Sequence, residues 1–180
     1  MALPQWVREI VAPGDGFASS AGALGASVDL AVASARRGGG PFGAVVADRA
    51  DRAVGVGWNR VIPAGDSTAH AEVLALRAAQ ERLATHDLAQ APGAPFSLYS
   101  SCAPCIMCFG AIYWSGLSRV VAAATAAHAA ALGFDEGPMT HRLWEAARQR
   151  KGITYEPEAD AGRDPNAPFE AYRQVGGQIY

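Results

Sequence analysis

Apolar residues at Leu24, Val28, Ala31, Val32 and Ala35 recur at the three- and four-residue spacing of a helix, predicting an amphipathic segment over 20–37. Gly38-Gly39-Gly40-Pro41 stops it, joining backbone freedom to a residue that cannot continue a helix. The period then changes. Two apolar runs, 42–47 and 53–58, flank a polar turn and predict a β-hairpin. Residues 59–66 form a loop. Ser67 or Thr68 can cap a helix to about Ala84, with Val73, Leu74, Leu76, Ala79 and Leu83 on its inner face. After a Pro- and Gly-containing loop over 85–95, residues 96–99 read as a short buried strand. A helix over 105–114, a strand over 119–124, helices over 125–132 and 139–151, and a last strand over 153–156 complete the pattern. Residues 1–19 read as a short helix or arm followed by a loop, and 157–180, broken by Pro157, Pro165 and Pro168, as a tail. Strands alternating with helices after an initial hairpin predict a layered α/β domain with a mixed sheet.

Composition narrows the function classes. The chain has 180 residues, suited to one domain, and 50% are hydrophobic. Alanine makes up 39 of these, so large apolar side chains are scarcer than that fraction implies. Fifteen basic residues against 17 acidic ones leave no surplus to neutralise phosphates, which disfavours a nucleic-acid binder. No apolar run reaches the roughly 18–20 residues of a membrane span. The N-terminus lacks the pattern of a signal peptide, so a cytoplasmic protein is expected. Three cysteines cannot build a disulfide scaffold, but they are clustered: Cys102, Cys105 and Cys108.

That cluster and one other stretch carry chemistry. His70-Ala71-Glu72 and Pro104-Cys105-Ile106-Met107-Cys108 each open a predicted helix. A helix N-terminus favours thiolate over thiol, and residues three apart share a helix face, so Cys105 and Cys108 can reach one metal. With His70 they form a His-Cys-Cys set suited to Zn²⁺, one ion per chain. Three protein ligands leave one position open for a water, whose pKa the ion lowers to about 7. Glu72 can lie beside that water without ligating the metal and pass its proton to a leaving nitrogen. An iron–sulfur reading of the three cysteines needs a fourth, which the chain lacks, so Cys102 is taken as a packed bystander. His86, His128 and His141 fit no ligand position.

The order His-x-Glu … Pro-Cys-x-x-Cys is the known signature of zinc deaminases. Together with Gly40-Pro-Phe-Gly-Ala44, Asn59, Gly110-Ala-Ile-Tyr-Trp114 and Gly133-Phe-Asp135, it makes the chain resemble the cytidine deaminase-like superfamily. The purine-directed branch of guanine deaminases is the nearest match, over about 39–136 and again at the tail. The resemblance implies a three-layer α/β/α sandwich around a five-stranded mixed sheet. It divides the chain into an N-terminal extension 1–19, a deaminase domain 20–156 and a C-terminal tail 157–180. It assigns His70, Cys105 and Cys108 to zinc and Glu72 to proton transfer. Asn59 would meet the base edge, and Ala71 would offer its small size and N–H. Phe42 and Trp114 would wall the pocket. The resemblance further implies a homodimer whose tail crosses to the partner, with Tyr180 as the closing residue.

Three positions depart from the branch: Ala103 stands where it usually has Glu, Ser67 where it has Pro, and Glu136 where it has Asp beside the guanine ring. A carboxylate facing the N–H donors of a guanine-type amidine is chemically apt, and Glu136 places it one methylene further out. The expected activity is hydrolytic deamination of a small amino-substituted heterocycle, foremost guanine to xanthine plus ammonia. The alternatives are guanosine, a pterin, an aminotriazine, cytosine or a specialised-metabolite base. Further off stand tRNA adenosine deamination, for which the basic surface is missing, and a catalytically silent zinc-binding scaffold.

Overall fold

The structure, a computed structural model, describes residues 3–180; the first two residues of the expected extension lie outside it. One five-stranded sheet organises the chain, in the order β2-β1-β3-β4-β5. Its strands are β1 (Gly43–Ala47), β2 (Ala53–Trp58), β3 (Ser97–Cys102), β4 (Arg119–Ala124) and β5 (Thr154–Glu156). β1 pairs antiparallel with both β2 and β3, whereas β3, β4 and β5 run parallel. Helices α2 (Ser20–Ala35) and α8 (Ala167–Gln174) cover one face. The other carries α4 (Ala71–Leu83), α5 (Ile106–Ser115) and α7 (His141–Lys151). Strand alternation feeds both cores: Leu98 and Val120 pack with Ile112 and Trp144, Tyr99 and Val121 with Leu24 and Val28. This is the expected three-layer α/β/α architecture.

The register of α4 on the sheet matters most for the site. Residues Gly55 and Gly57 of β2 carry no side chain where α4 crosses, and a Cβ on either would overlap the carbonyl oxygen of Ala75 or Ala71. The helix therefore rests backbone-on-backbone, and its buried stripe is Ala71, Ala75, Leu76 and Ala79. Val73 and Leu74, expected on the inner face, are only half-buried; Leu83, also half-buried, packs against the core as expected, as does the buried Leu76.

At the outer edge of the sheet, β2 is covered by the N-terminal arm. Gly14 N–H donates to the Ala53 carbonyl (2.7 Å), Ala53 N–H to that of Asp15 (2.8 Å) and Phe17 N–H to that of Asp51 (2.8 Å). The short helix α1 (Gln5–Arg8) brings Val7 against Leu30, Val45 and Val56, with Val11 just beyond it. The edge groups at the start of β2 are thereby paired.

Several elements differ from expectation. Helix α4 begins at Ala71, because the Asp66 carboxylate accepts from both N–H (2.8 Å) and hydroxyl (2.7 Å) of Thr68 and folds that segment into a turn. The loop after β2 contains the short helix α3 (Val61–Ala64). β3 continues three residues beyond Tyr99, pairing Cys102 with Ala124. The Pro-rich tail holds α8: Pro168 sits in its first turn, where a missing N–H costs nothing, and Phe169 and Tyr172 are buried beside Phe134. Helix α6 (Ala126–Leu132) ends at Gly133 as expected.

Candidate active site

His70 is the N-cap of α4 and Cys105 the N-cap of α5, with Cys108 one turn on. The two helix starts meet through these side chains. Both sulfurs lie 3.6 Å from His70 Nδ1, and the three donor atoms fall within 4.8 Å of one another. Two soft thiolates and an imidazole, converging from separate elements, match the donor set that selects zinc, and three ligands leave a position open. Electrostatics favour the same occupant. Cys105 is held well below the usual thiol range by its bond from Cys108, against burial and with help from His70. Cys108 is driven far up by that same bond and by burial. Burial opposes charge on His70, but Cys105, Glu72 and Glu136 together raise its pKa.

Glu72, on the first turn of α4, is 6% exposed. Burial raises its pKa, and the Cys105 thiolate adds to the effect. It lines a pocket of about 250 Å³ with His70, Phe42, Phe134, Glu136 and Tyr180. Phe42 and Phe134 meet edge-to-face at 5.1 Å, and Tyr180 meets Phe134 likewise at 5.2 Å. Burial, then repulsion from Glu72 and Cys105, lifts the Glu136 carboxyl to about 8.

Asn59 is fully buried behind this pocket, in contact with the Tyr180 hydroxyl across Gly40. Its N–H donates to the Phe42 carbonyl (3.0 Å), and its Oδ1 accepts from Gly40 (3.3 Å) and Val61 (3.2 Å). Its Nδ2 has no partner among the described residues. A buried unsatisfied donor is costly and marks a place where a ligand acceptor belongs.

The structure thus brings His70, Glu72, Cys105, Cys108, Phe42, Asn59, Glu136 and Tyr180 to one place. It does not do so for Trp114, which is 74% exposed and contacts the Tyr113 ring and the Lys151 ammonium. The reason is helical phase: Cys108 and Ile112 take the buried face of α5, and Trp114 falls on the other. The side chain of Ala71 belongs to the core, and its N–H falls in the first turn of α4. Cys102 is buried, its thiol against the Thr125 carbonyl (3.4 Å), with ionisation suppressed by burial and then by Glu136 and Glu72. Phe134 and Val61 also line the pocket. The Gly-Phe-Asp stretch pointed to Phe134, whereas Val61 lies in a helix that the loop composition concealed.

Residues 23–124 match the profile of the cytidine and deoxycytidylate deaminase zinc-binding region. The guanine deaminase of Bacillus subtilis is 36% identical over 140 residues, which cover 78% of this chain and 84% of that one. The tRNA-specific adenosine deaminase of Haemophilus influenzae is 38% identical over 108 residues, a smaller share of both chains, 57% and 60%. Among solved structures, a guanine deaminase from Nitrosomonas europaea superposes with a TM-score of 0.86 at 34% identity, over 96% of this chain and 94% of the other.

Proposed function

The chain belongs to the cytidine and deoxycytidylate deaminase zinc-binding family, and from that premise we propose that this zinc-dependent deaminase hydrolyses guanine to xanthine and ammonia. The observation that carries the proposal is the buried Glu72 carboxyl, sharing one pocket with His70, which converges with Cys105 and Cys108 on one donor set. His70, Cys105 and Cys108 would hold a zinc ion, which when bound would supply the Lewis acidity that activates a water near neutral pH. The rest falls to the chain. Glu72 accepts a proton from the water as its oxygen bonds to the amino-bearing carbon, then delivers it to the nitrogen as the carbon–nitrogen bond breaks. Burial, which raises its pKa, suits it to both halves of the transfer. Asn59 Nδ2 donates to a ring acceptor, the first-turn N–H of Ala71 faces the base, and Glu136 meets its N–H edge. Phe42, Phe134 and Tyr180 exclude water from the faces of the ring.

The substrate class follows from size and charge. A 250 Å³ pocket suits a free bicyclic base, and a formal charge of −2 offers no surface for a tRNA stem. The three free cysteines, all buried, fit a reducing cytoplasm. Among the described residues no helix is long and apolar enough to cross a membrane. We further propose a homodimer, on the strength of Ile106 and the broadly exposed Trp114 on α5.

Ammonia release screened over guanine, guanosine, adenine, cytosine, pterins and aminotriazines, with metal analysis alongside, tests the assignment. Guanine is expected to be turned over fastest by protein containing one zinc per chain. Zinc without ammonia from any compound would leave a silent scaffold. Glu72→Gln is expected to keep the metal and lose about 10²–10⁴ in kcat. Near-normal turnover by that variant would remove Glu72 from the reaction.

A further inference from the structure

Trp6 touches neither the metal donors nor the pocket, yet it packs against the residue that precedes Asn59. Its ring meets Trp58 edge-to-face at 5.4 Å and 75°. Trp58 ends β2, the outermost strand, on the side away from α4. Arg37, at the end of α2, holds Trp6 in turn: its guanidinium lies 4.8 Å over the ring and donates to the Ala33 carbonyl at 3.1 Å. We propose that Trp6 is a positioning residue for base recognition, fixing the Asn59 amide by bracing Trp58 at the sheet edge. This rests on the reading of Asn59 as the group that meets the base.

The geometry gives the contact its leverage. The side chain of Asn59 is oriented by Gly40 and Val61, and its carbonyl accepts from the Ser34 hydroxyl at 3.2 Å. All of these bonds presuppose that the end of β2 lies where it does. A cavity of about 270 Å³ runs between Trp6, Trp58, Ser34 and Asn59, so removing Trp6 would enlarge open space directly beside the Asn59 backbone. The apolar anchoring of the arm is supplied separately, by Val7 and Val11, which are 0% and 1% exposed. Anchoring and positioning can therefore be tested apart.

The experiment compares wild-type protein with Trp6→Ala, Trp6→Phe and Val11→Ala, each well below its Tm. Amide hydrogen exchange is followed by NMR and steady-state kinetics with guanine. Trp6→Ala is expected to speed exchange at the Gly40 and Val61 amides and to raise KM about tenfold with kcat little changed, the signature of lost ground-state binding. Trp6→Phe should restore both. Val11→Ala should lower Tm without moving KM. The proposal is overturned if Trp6→Ala leaves KM and the two amides unchanged, or if Val11→Ala raises KM as much per degree of Tm lost. Should Trp6→Ala not fold, Trp6→Leu takes its place: a KM and exchange pattern equal to wild type overturns the proposal equally. Wild-type protein that ignores guanine would remove the functional reading instead, and the exchange comparison would still decide whether Trp6 orders the Asn59 loop.

Discussion

The proposed function gives the Asn59 side chain two separable tasks: its Oδ1 accepts from Gly40 and Val61, and its Nδ2, unpartnered among the described residues, would donate to the base. Asn59→Asp keeps the acceptor and removes the donor. A lost hydrogen bond in a buried site is worth about 1–3 kcal/mol. The variant is therefore expected to lose at least tenfold in kcat/KM for guanine while Tm stays within a few degrees of wild type. A fall in both would make Asn59 a folding residue first. The metal donors and Glu72 were legible in the sequence because their chemistry demands particular residue types at particular spacings, whereas Asn59 came only from the resemblance to the deaminase family. Trp114 was not, because aromatic identity says nothing of which side of a helix it takes. That depended on Cys108 and Ile112 claiming the buried face of α5.

Between β2 and α4 the decisive feature is what is absent. Gly55 and Gly57 let the helix approach until alanines fill the gap, and this sets where His70 and Glu72 emerge. Gly57→Ala forces a Cβ into the Ala71 carbonyl, an overpacking that costs about 1–3 kcal/mol. At roughly 2–4 °C per kcal/mol for a chain of this size, Tm should fall by several degrees. Activity should fall with it, because the helix start must move. Gly22→Ala, where the new Cβ meets ordinary contacts, is expected to leave both unchanged. The hairpin makes a different prediction. Burial opposes charge on Asp48, but N–H groups of Arg52 and Ala50 and the Arg52 guanidinium outweigh it and lower its pKa. A carboxylate whose native pKa is depressed contributes stability fully above its unfolded pKa of about 4 and loses it as pH falls through the native value. Tm should therefore drop as pH falls below about 4, and Asp48→Asn should flatten part of that slope. Element types were mostly legible from periodicity. The start of α4 and the whole of α8 were not, because a Thr68–Asp66 turn and three prolines mimic loop composition while tertiary packing decides the outcome.

The whole molecule poses the question of whose tail closes whose pocket. Here the tail folds onto its own chain: Gly177 N–H donates to the Tyr172 carbonyl (3.0 Å), the Tyr172 hydroxyl donates to the Gln178 carbonyl, and Tyr180 meets Phe134. A swapped dimer would present a partner's tyrosine to the same aromatic wall. The two arrangements separate in a mixed assembly. Glu72→Gln and Tyr180→Ala chains are each expected to be poor deaminases as homodimers, the first lacking proton transfer and the second its lid. If tails cross, a heterodimer of the two rebuilds one pocket with both Glu72 and Tyr180, and mixing recovers up to half the wild-type rate per such dimer. If each tail serves its own chain, no pocket in the mixture holds both. The bonds among Tyr172, Gly177 and Gln178 lie inside the tail and travel with it in either arrangement, so mixing decides: recovery shows crossing tails, and no recovery shows tails that serve their own chains. Light scattering must first show the dimer, and Trp114→Glu, which places a charge on the exposed face of α5, should convert it to monomer. Under a tail that stays at home, that monomer keeps its kcat; under a crossing tail, it loses its lid and its activity together.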